Sequence, residues 1–300
     1  MNALGVCLTL AVGLYVLCYD AVLRAIFLGL LGGYYLISYR QRGTATKAQD
    51  SVWRRMRLGM WTDPYSCEVL GEERVFIEKT LAFCRRESQA TGKKITLTHA
   101  LMKAMGIVMS KAPDMNGKLA FGAYTPFEET RISLFLPADN GETMKWVALE
   151  GLASKSLAAI AEDISAAGQA STCPLPAGLL SLPSAVLSLA LELISLVSIQ
   201  LGLRLPFLQP HSFGSAMVTN LSEIDADMMW TPLIPFPRLS MVMTCSKVRR
   251  EAVVVDGKVT VQDTLHLCAQ LDHRFIDGMR AAYLANQVKD VLENPEDHFT

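Results

Sequence analysis

The side chains best suited to chemistry lie in one short motif near the C-terminal end of the chain, Asp272-His273-Arg274-Phe275-Ile276-Asp277-Gly278. Histidine has an unperturbed pKa of about 6.5, so a neutral imidazole is available near pH 7. His273 could therefore take the proton of a thiol or a hydroxyl group. Asp277, four residues later and followed by a glycine, would brace the loop. The pattern is short, and by itself it also fits loops without a catalytic role.

The segments around this motif predict a strand before it and a helix after it. Residues 264–270 have the composition of a strand, and residues 278–293 form an amphipathic helical pattern that stops before Pro295. Residues 252–261 predict a hairpin that turns at Asp256-Gly257. His273 would then stand at the end of a strand, where its imidazole can project into a channel.

The chain upstream alternates helical and strand patterns, which is typical of a mixed α/β domain. The expected cap of the second helix is Thr96 or Thr98, and His99 beside them is interpreted as a capping or surface residue. Met228-Met229-Trp230 predict core packing, with the lining of an acyl pocket as the alternative. Helical periodicity marks residues 71–91, 95–112 and 154–167, and strand patterns mark residues 131–136, 145–149, 214–219 and 239–248.

Composition excludes some classes of function and some kinds of site. The net charge is −1, so the whole molecule has no electrostatic preference for nucleic acid. The seven cysteines are scattered, with no Cys-x-x-Cys pair and no cysteine and histidine set at zinc spacing. We therefore expect reduced thiols that pack as small apolar residues, a reducing compartment and no bound metal.

Residues 1–39 are almost continuously apolar and predict a membrane anchor. One helix over residues 3–38 would be about 54 Å long, against about 30 Å of hydrocarbon, so it would tilt or kink. A two-span hairpin is less favoured, because Tyr19-Asp20 is too short a turn, and a helix buried in a soluble protein is the other alternative. The basic residues that follow predict a juxtamembrane linker over 40–60, on the cytoplasmic or an equivalent reducing face.

A second apolar block, residues 174–210, contains a helix near 184–203 that prolines delimit on both sides. Glu192 in its middle disfavours a second membrane span. The pattern favours a helix that lies in the membrane interface or packs on the anchor. A helix buried by the protein itself is the alternative.

The chain resembles a known family over roughly residues 60–296. Three segments closely resemble the catalytic domain of the dihydrolipoamide acyltransferase component of 2-oxoacid dehydrogenase complexes: residues 253–259, the motif in residues 271–278, and residues 291–295. That domain belongs to the chloramphenicol-acetyltransferase-like superfamily. Five upstream segments resemble the same family in the correct order: residues 95–104, 112–116, 155–157, 213–221 and 231–235.

This resemblance implies an α/β mixed-sheet sandwich domain, spanning 61–296 here, that forms a homotrimer with active sites at the subunit interfaces. His273 would be the general base, and Thr219 would donate a hydrogen bond to the tetrahedral oxyanion. Asp277 would hold the loop and the imidazole geometry. Asn220 is either a residue that supports the Thr219 hydroxyl or a turn residue at a strand end. Coenzyme A or acyl-coenzyme A would be the substrate.

Three features depart from the family's pattern: no lipoyl domain or peripheral-subunit-binding domain is visible, an apolar anchor stands in their place, and an apolar helix is inserted. We therefore predict no lipoyl group of the chain's own. The predicted function is a membrane-bound acyltransferase between a pantetheine thioester and a thiol or hydroxyl acceptor, with a lipid or carrier protein as a candidate acceptor. The alternatives are a non-catalytic trimeric structural or assembly subunit, and a soluble-type core that recruits lipoyl domains from another chain.

Overall fold

A computed structural model describes Gly13 and residues 21–42, 68–120, 123–138, 143–170, 175–209, 211–222, 225–275 and 277–299. Its strands are β1 (Glu68–Phe76), β2 (Gly117–Ala120), β3 (Ala123–Pro126), β4 (Arg131–Ala138), β5 (Thr143–Glu150), β6 (Ala216–Asn220), β7 (Met241–Cys245), β8 (Arg249–Val255) and β9 (Lys258–Asp272). Its helices are α1 (Ala21–Arg42), α2 (Glu78–Thr91), α3 (Leu97–Ser110), α4 (Leu157–Ala170), α5 (Ala177–Leu180), α6 (Ser184–Ile194), α7 (Gly278–Glu293) and α8 (Pro295–His298). A π-helical stretch, Ser195–Gln200, continues α6.

A seven-stranded mixed sheet organises the fold, with strand order β1-β9-β7-β6-β4-β5 and with β8 paired to β9. The pairs β4–β6 and β6–β7 are parallel, and the remaining pairs are antiparallel. β2 and β3 form a separate small hairpin that the sequence did not predict. The turn at Asp256-Gly257 is confirmed, because both residues have positive φ angles, 50° and 74°, as a two-residue hairpin turn requires.

The prediction of a helix over residues 71–91 is wrong in its first part. Residues 71–76 belong to β1, which pairs with β9 over nine residues. Glu72, Glu73 and Arg74 are weak strand formers, so local preference favours a helix. Pairing with β9 overrides it, and charged residues are tolerated because β1 is an edge strand. The helical part begins at Glu78 and ends at Thr91, with Gly92 in the left-handed conformation.

Helices α2, α3, α4 and α7 cover the first face of the sheet and share one buried core with it. The predicted cap of α3 is confirmed at Thr96, whose backbone N–H donates to His99 Nδ1 at 2.8 Å. Burial lowers the pKa of His99, which keeps that nitrogen free to accept. Lys103 in the same helix is fully buried, and its ammonium group donates hydrogen bonds to the carbonyl oxygens of Ala153 and Lys155.

The inserted helix α6 covers the second face of the sheet. Its Leu187 and Leu191 are buried, and Ser188 is buried with them. One side of this helix is therefore buried by the protein itself, as the alternative interpretation expected, and its association with a membrane interface stays a prediction. The second core cluster that receives it consists of Trp146, Leu175, Leu180, Leu187, Leu191, Ile199, Leu208, Phe213, Met217, Ile234, Phe236, Leu239 and Val242.

Polar contacts fix the π-helical end of this segment. Lys118 Nζ donates to the carbonyl oxygens of Ile199 and Gln200, at 3.1 and 3.0 Å. Arg238 Nε donates to Ser195 Oγ at 3.2 Å. A positive group at the C-terminal end of a helix compensates the carbonyls that lack partners within it. These contacts end the helix at Gln200, close to the boundary that the prolines predict.

Helix α1 coincides with the second half of the predicted anchor and continues through Arg42 into the predicted linker. It lies against α6, as one of the interpretations of the apolar blocks expected. A side chain at Gly13 would stand 3.5 Å from the Phe27 ring, whereas fourteen residues of one helix span about 21 Å. The prediction of one continuous helix over 3–38, tilted or kinked, is therefore wrong. Residues 1–12, 14–20 and 43–67 lie outside the described residues.

Over the part of the chain that the structure describes, no helix combines the length and the apolar character that a membrane crossing requires. Cys84, Cys245 and Cys268 are free and buried, as predicted. Burial raises the pKa of Cys84 to about 11 and that of Cys245 to about 12, so both are thiols at neutral pH. The predictions for Cys7, Cys18, Cys67 and Cys173 fall outside the described residues.

Candidate active site

The loop that carries His273 is short and is braced at its first residue. β9 ends at Asp272 and α7 begins at Gly278, so five residues join the two elements. Asp272 is buried, and its backbone N–H donates to the Ser240 carbonyl at 2.9 Å. Its carboxylate accepts hydrogen bonds from the backbone and guanidinium of Arg274, at 2.5 to 3.1 Å. These contacts hold the residues on both sides of His273, whose own side chain is exposed.

Asp277 stands at the other end of this loop as the N-cap of α7. Its Oδ1 accepts a hydrogen bond from the Arg280 backbone N–H at 2.9 Å. A carboxylate at this position satisfies a backbone donor and interacts favourably with the helix dipole. The structure thus places Asp277 where it fixes the beginning of the helix, and its effect on the imidazole stays a prediction.

A second contact fixes the first turn of α7. Arg280 forms two hydrogen bonds with Asp114, each 2.7 Å long, and Asp114 lies in the turn that follows α3. Hydrogen bonding to Arg280 lowers the pKa of the Asp114 carboxyl below its usual range. This bidentate contact joins α7 to residues 112–116, one of the upstream segments that carry the family resemblance.

Thr219 lies in β6 and is buried, with 5% of its surface exposed. The alternation of side chains along a strand places it on the second face of the sheet, the face of Met217. It stands opposite Thr244 in β7, which stands opposite Cys268 in β9. Thr244 Oγ1 lies 2.9 Å from Thr231 Oγ1, so hydroxyl groups from three segments gather at this end of the sheet.

Asn220 points to the first face of the sheet, away from the Thr219 side. Its Nδ2 donates to Thr98 Oγ1 at 2.9 Å, and its Oδ1 accepts from the Ser222 backbone N–H at 2.9 Å. The contacts are those of a turn residue that also ties the end of β6 to the start of α3. Of the two interpretations of Asn220, these contacts fit the strand-end turn residue.

The structure does not bring His273 and Thr219 together within one chain. In the sheet, Thr219 lies at the same height as Cys268 of β9, which is two strands away from β6. Cys268 precedes His273 by five residues. At about 3.4 Å per residue and 4.8 Å per strand, His273 and Thr219 are roughly 19 Å apart. A site that uses both side chains therefore needs two copies of the chain.

Arg238 donates a hydrogen bond to Ser195 at the end of the inserted segment, and charges of the His273 loop act on its guanidinium. Burial is the main cause that lowers the pKa of Arg238, and the nearby charge of Arg274 lowers it further. The negative charges of Glu192 in α6 and of Asp272 raise the pKa of Arg238. No local pattern in the sequence predicts this cluster of four charged residues, because Glu192 and Arg238 are far from Asp272 and Arg274 along the chain.

The segment Met228-Met229-Trp230 is not core, which corrects the default interpretation. Its side chains are 46%, 47% and 37% exposed. Trp230 Nε1 donates to the Gly71 carbonyl at 3.2 Å and so lies against the edge strand β1. Among the described residues, no group of three or more His, Cys, Asp or Glu side chains is placed to hold a metal ion.

Comparison with known families finds a match over the last third of the chain. Residues 208–300, which contain His273, Asp277, Thr219 and Asn220, match the family model of the 2-oxoacid dehydrogenases acyltransferase (catalytic domain). A dihydrolipoyllysine-residue succinyltransferase component of the 2-oxoglutarate dehydrogenase complex from Bartonella vinsonii subsp. berkhoffii is 31% identical over 83 residues. The aligned part is 28% of this chain and 20% of that protein, so the chain spans about a fifth of such relatives.

Solved structures extend the likeness to most of the chain. The cubic core of a pyruvate dehydrogenase multienzyme complex has a TM-score of 0.59 at 19% identity, covering 83% of this chain and 89% of that one. A dihydrolipoamide acetyltransferase of Azotobacter vinelandii has a TM-score of 0.61 at 20% identity, covering 82% and 91%. That structure was studied for the catalytic roles of a serine, a histidine and an asparagine, the last two four positions apart.

These comparisons define the class first: the chain has a mixed α/β fold of the kind found in the acyltransferase cores of 2-oxoacid dehydrogenase complexes. Within that class, its fold is that of the catalytic domain of the dihydrolipoamide acyltransferases, and its last third matches that family's sequence model.

Proposed function

We propose that this protein is an acyltransferase that moves an acyl group between a pantetheine thioester and a thiol or hydroxyl acceptor. The observation that carries the proposal is the family match over 208–300, because that one segment contains both His273 and Thr219. In the Azotobacter protein the catalytic study concerned a serine and a histidine, and Thr219 and His273 supply the same two kinds of group.

In this proposal His273 takes the proton of the acceptor thiol or hydroxyl, and the resulting anion attacks the thioester carbonyl carbon. The carbonyl oxygen becomes an oxyanion, which accepts a hydrogen bond from the Thr219 hydroxyl of a neighbouring copy. Collapse of the tetrahedral species breaks the carbon–sulfur bond, and the departing pantetheine sulfur takes the proton from the imidazolium. Base and oxyanion donor each contribute a factor of about 100 or more.

The proposed assembly is a homotrimer with its sites at the subunit interfaces. It is supported by the separation of roughly 19 Å between His273 and Thr219 within one chain. Closed symmetry gives each interface one His273 from one copy and one Thr219 from the next, so that every copy contributes to two sites.

The function is tested by following thiol release from acyl-coenzyme A thioesters with detergent-purified protein, both alone and with dihydrolipoamide or lipid extract as acceptor. We expect His273→Ala to lose at least about 1,000-fold in kcat/KM, since it removes the base. His298→Ala is the matched control, because His298 lies in α8 and pairs with Asp290. No thiol release from the native chain under any of these conditions would favour the non-catalytic structural subunit.

We also propose that the protein is membrane-bound through α1, on a reducing face. Support comes from the large apolar side chains that α1 exposes, among them Ile26, Leu30 and Leu36 at 52%, 71% and 60%. An exposed apolar surface of this kind is typical of helices that bind a membrane or a partner.

Flotation with phosphatidylcholine vesicles tests this proposal. Replacing Ile26, Leu30 and Leu36 together by Ser should release the protein from the vesicles. The matched control replaces three equally exposed valines of the β8–β9 hairpin, Val254, Val259 and Val261, by Ser. Equal flotation of the two variants would contradict a role of α1 in membrane binding.

A further inference from the structure

A cavity of about 310 Å³ lies on the first face of the sheet, beneath α7. Its floor is formed by β7 and β9, one wall by α3 and the other by the edge strand β1. The lining is predominantly apolar, and it includes Met105, Val108, Met243 and Leu267. Ligand cavities have this character and begin at about this volume.

The cavity exists because small residues meet where three elements face each other. Gly71 in β1 stands directly opposite Ala269 in β9. A Cβ atom added to Gly71 would find no heavy atom within 4 Å. From above, α7 contributes Ala281 and Ala285, one turn apart on the same side of the helix. Ordinary core residues at these positions would fill the space.

One end of the cavity lies at the candidate catalytic loop. Leu271 and Gly278 both line it, and they stand two residues before and five residues after His273. From Leu271 the lining continues along β9 to Leu267, which is about 14 Å at the rise of a strand. The cavity is therefore elongated, and it runs from the His273 loop into the protein.

The charged residues at its rim already have partners. Glu73 accepts a hydrogen bond from Lys289 Nζ at 2.5 Å, and Glu72 contacts His266 Nδ1 at 2.6 Å. Lys289 compensates the charge of Glu73, and the Glu72 carboxylate has a hydrogen-bond partner in His266, so the interior offers little to a polar or charged ligand. An apolar chain fits its chemistry.

We propose that this cavity holds the hydrocarbon tail of the acyl group, and that the substrates are thioesters of about eight to twelve carbons. The inference rests on the proposed function, since it places the tail of the thioester whose carbonyl reacts at His273. An apolar cavity of about 150 Å³ accommodates benzene, with its six carbons, so 310 Å³ accommodates about twice as many. A length of about 14 Å agrees with this estimate, since bonded carbons are about 1.5 Å apart.

The test measures kcat/KM for thiol release with straight-chain acyl-coenzyme A thioesters of two to fourteen carbons. We expect the native chain to prefer eight to twelve carbons. Ala285→Leu and Gly71→Val, which fill the cavity from two different elements, should each shift the optimum to shorter chains. Each methylene that is displaced should lower kcat/KM about threefold to fourfold, while the acetyl thioester is turned over within about twofold of the native rate.

Ala252→Leu is the matched control, because Ala252 is exposed in β8 and far from the cavity. It should leave the chain-length profile unchanged, and thermal unfolding of all three variants checks that they are folded. An unchanged profile in both cavity variants would overturn the inference, as would a native preference for acetyl groups.

A binding experiment separates this inference from the proposed function. S-decyl-coenzyme A carries the tail but no reactive carbonyl, and calorimetry measures its binding without any turnover. Binding to the native chain that weakens at least about tenfold in Ala285→Leu would support the cavity site even if no thioester reacts. Equal affinity of the native chain and the variant would overturn it even in an active enzyme.

Discussion

The two ends of the central strands differ in almost every physical respect. At the end that carries His273 the loop is exposed, and the ion pair of Asp272 with Arg274 gives it its shape. At the other end Thr219 is buried in a row of hydroxyl groups whose positions the strand register sets. In the proposed mechanism the exposed end carries the proton acceptor and the buried end the hydrogen-bond donor, so each end of one chain has only half of what acyl transfer requires.

The largest effect should be the recovery of activity when two inactive variants are assembled into one trimer. His273→Ala and Thr219→Ala each lack one half of every site. When the two variants are unfolded, mixed in equal amounts and refolded, about a quarter of the sites of a randomly mixed trimer combine both native halves. Activity of about a quarter of the native value is expected, measured as thiol release. If the mixture is no more active than its parts, both halves belong to the same chain.

Removing the donor alone should have the next largest effect. Thr219→Ala is expected to lower kcat about 100-fold to 1,000-fold, because the oxyanion loses one hydrogen bond. Thr219→Ser keeps the hydroxyl and should stay within about tenfold of the native chain. Steady-state kinetics of the two variants check this, and a similar loss in both would indicate that packing, not the hydroxyl, matters.

Removing the ion pair between Asp272 and Arg274 should have a moderate effect on the reaction rate, because it disturbs only the His273 loop. Asp272→Asn keeps the size of the side chain and removes the charge that holds Arg274. We expect kcat to fall about tenfold with little change in KM, because an imidazole that is less well placed reacts less often. The control is Asp263→Asn, an acid in the same strand that stands by Arg250. An effect on KM alone would contradict a positioning role.

The smallest expected effect concerns the helix cap. Asp277→Ala should lower the free energy of unfolding by about 1 kcal/mol, since it removes the N-cap of α7. Asp277→Asn keeps a capping oxygen and should restore most of that stability. Denaturant unfolding of the two variants measures the difference. If activity falls much more than stability in Asp277→Asn, the carboxylate acts on the imidazole as well.

The sequence predicted the parts of this fold that local patterns determine. The turn at Asp256-Gly257, the cap at Thr96 and the bounds of α7 all follow from short-range signals, and the structure has them at or near the predicted positions. Residues 71–76 were predicted wrongly, because a strand partner almost two hundred residues away decides their conformation.

The same limit applies to the candidate site. The motif around His273 could be recognised, and Thr219 could be assigned through the family resemblance. Three features depend instead on which strands are neighbours. They are the separation of His273 and Thr219, the cluster of charges around Arg238, and the cavity beneath α7. The apolar block that holds α6 shows the same point, because its composition fits a membrane surface and a protein core equally well.

The pairing of β1 with β9 has a consequence for the synthesis of the chain. β1 leaves the ribosome about two hundred residues before its partner does, and at 5 to 20 residues per second it waits roughly 10 to 40 seconds. During that interval its backbone donors and acceptors are open to any other strand. Glu72, Glu73 and Arg74, which cost the strand some intrinsic stability, discourage such pairing and protect the nascent protein from aggregation.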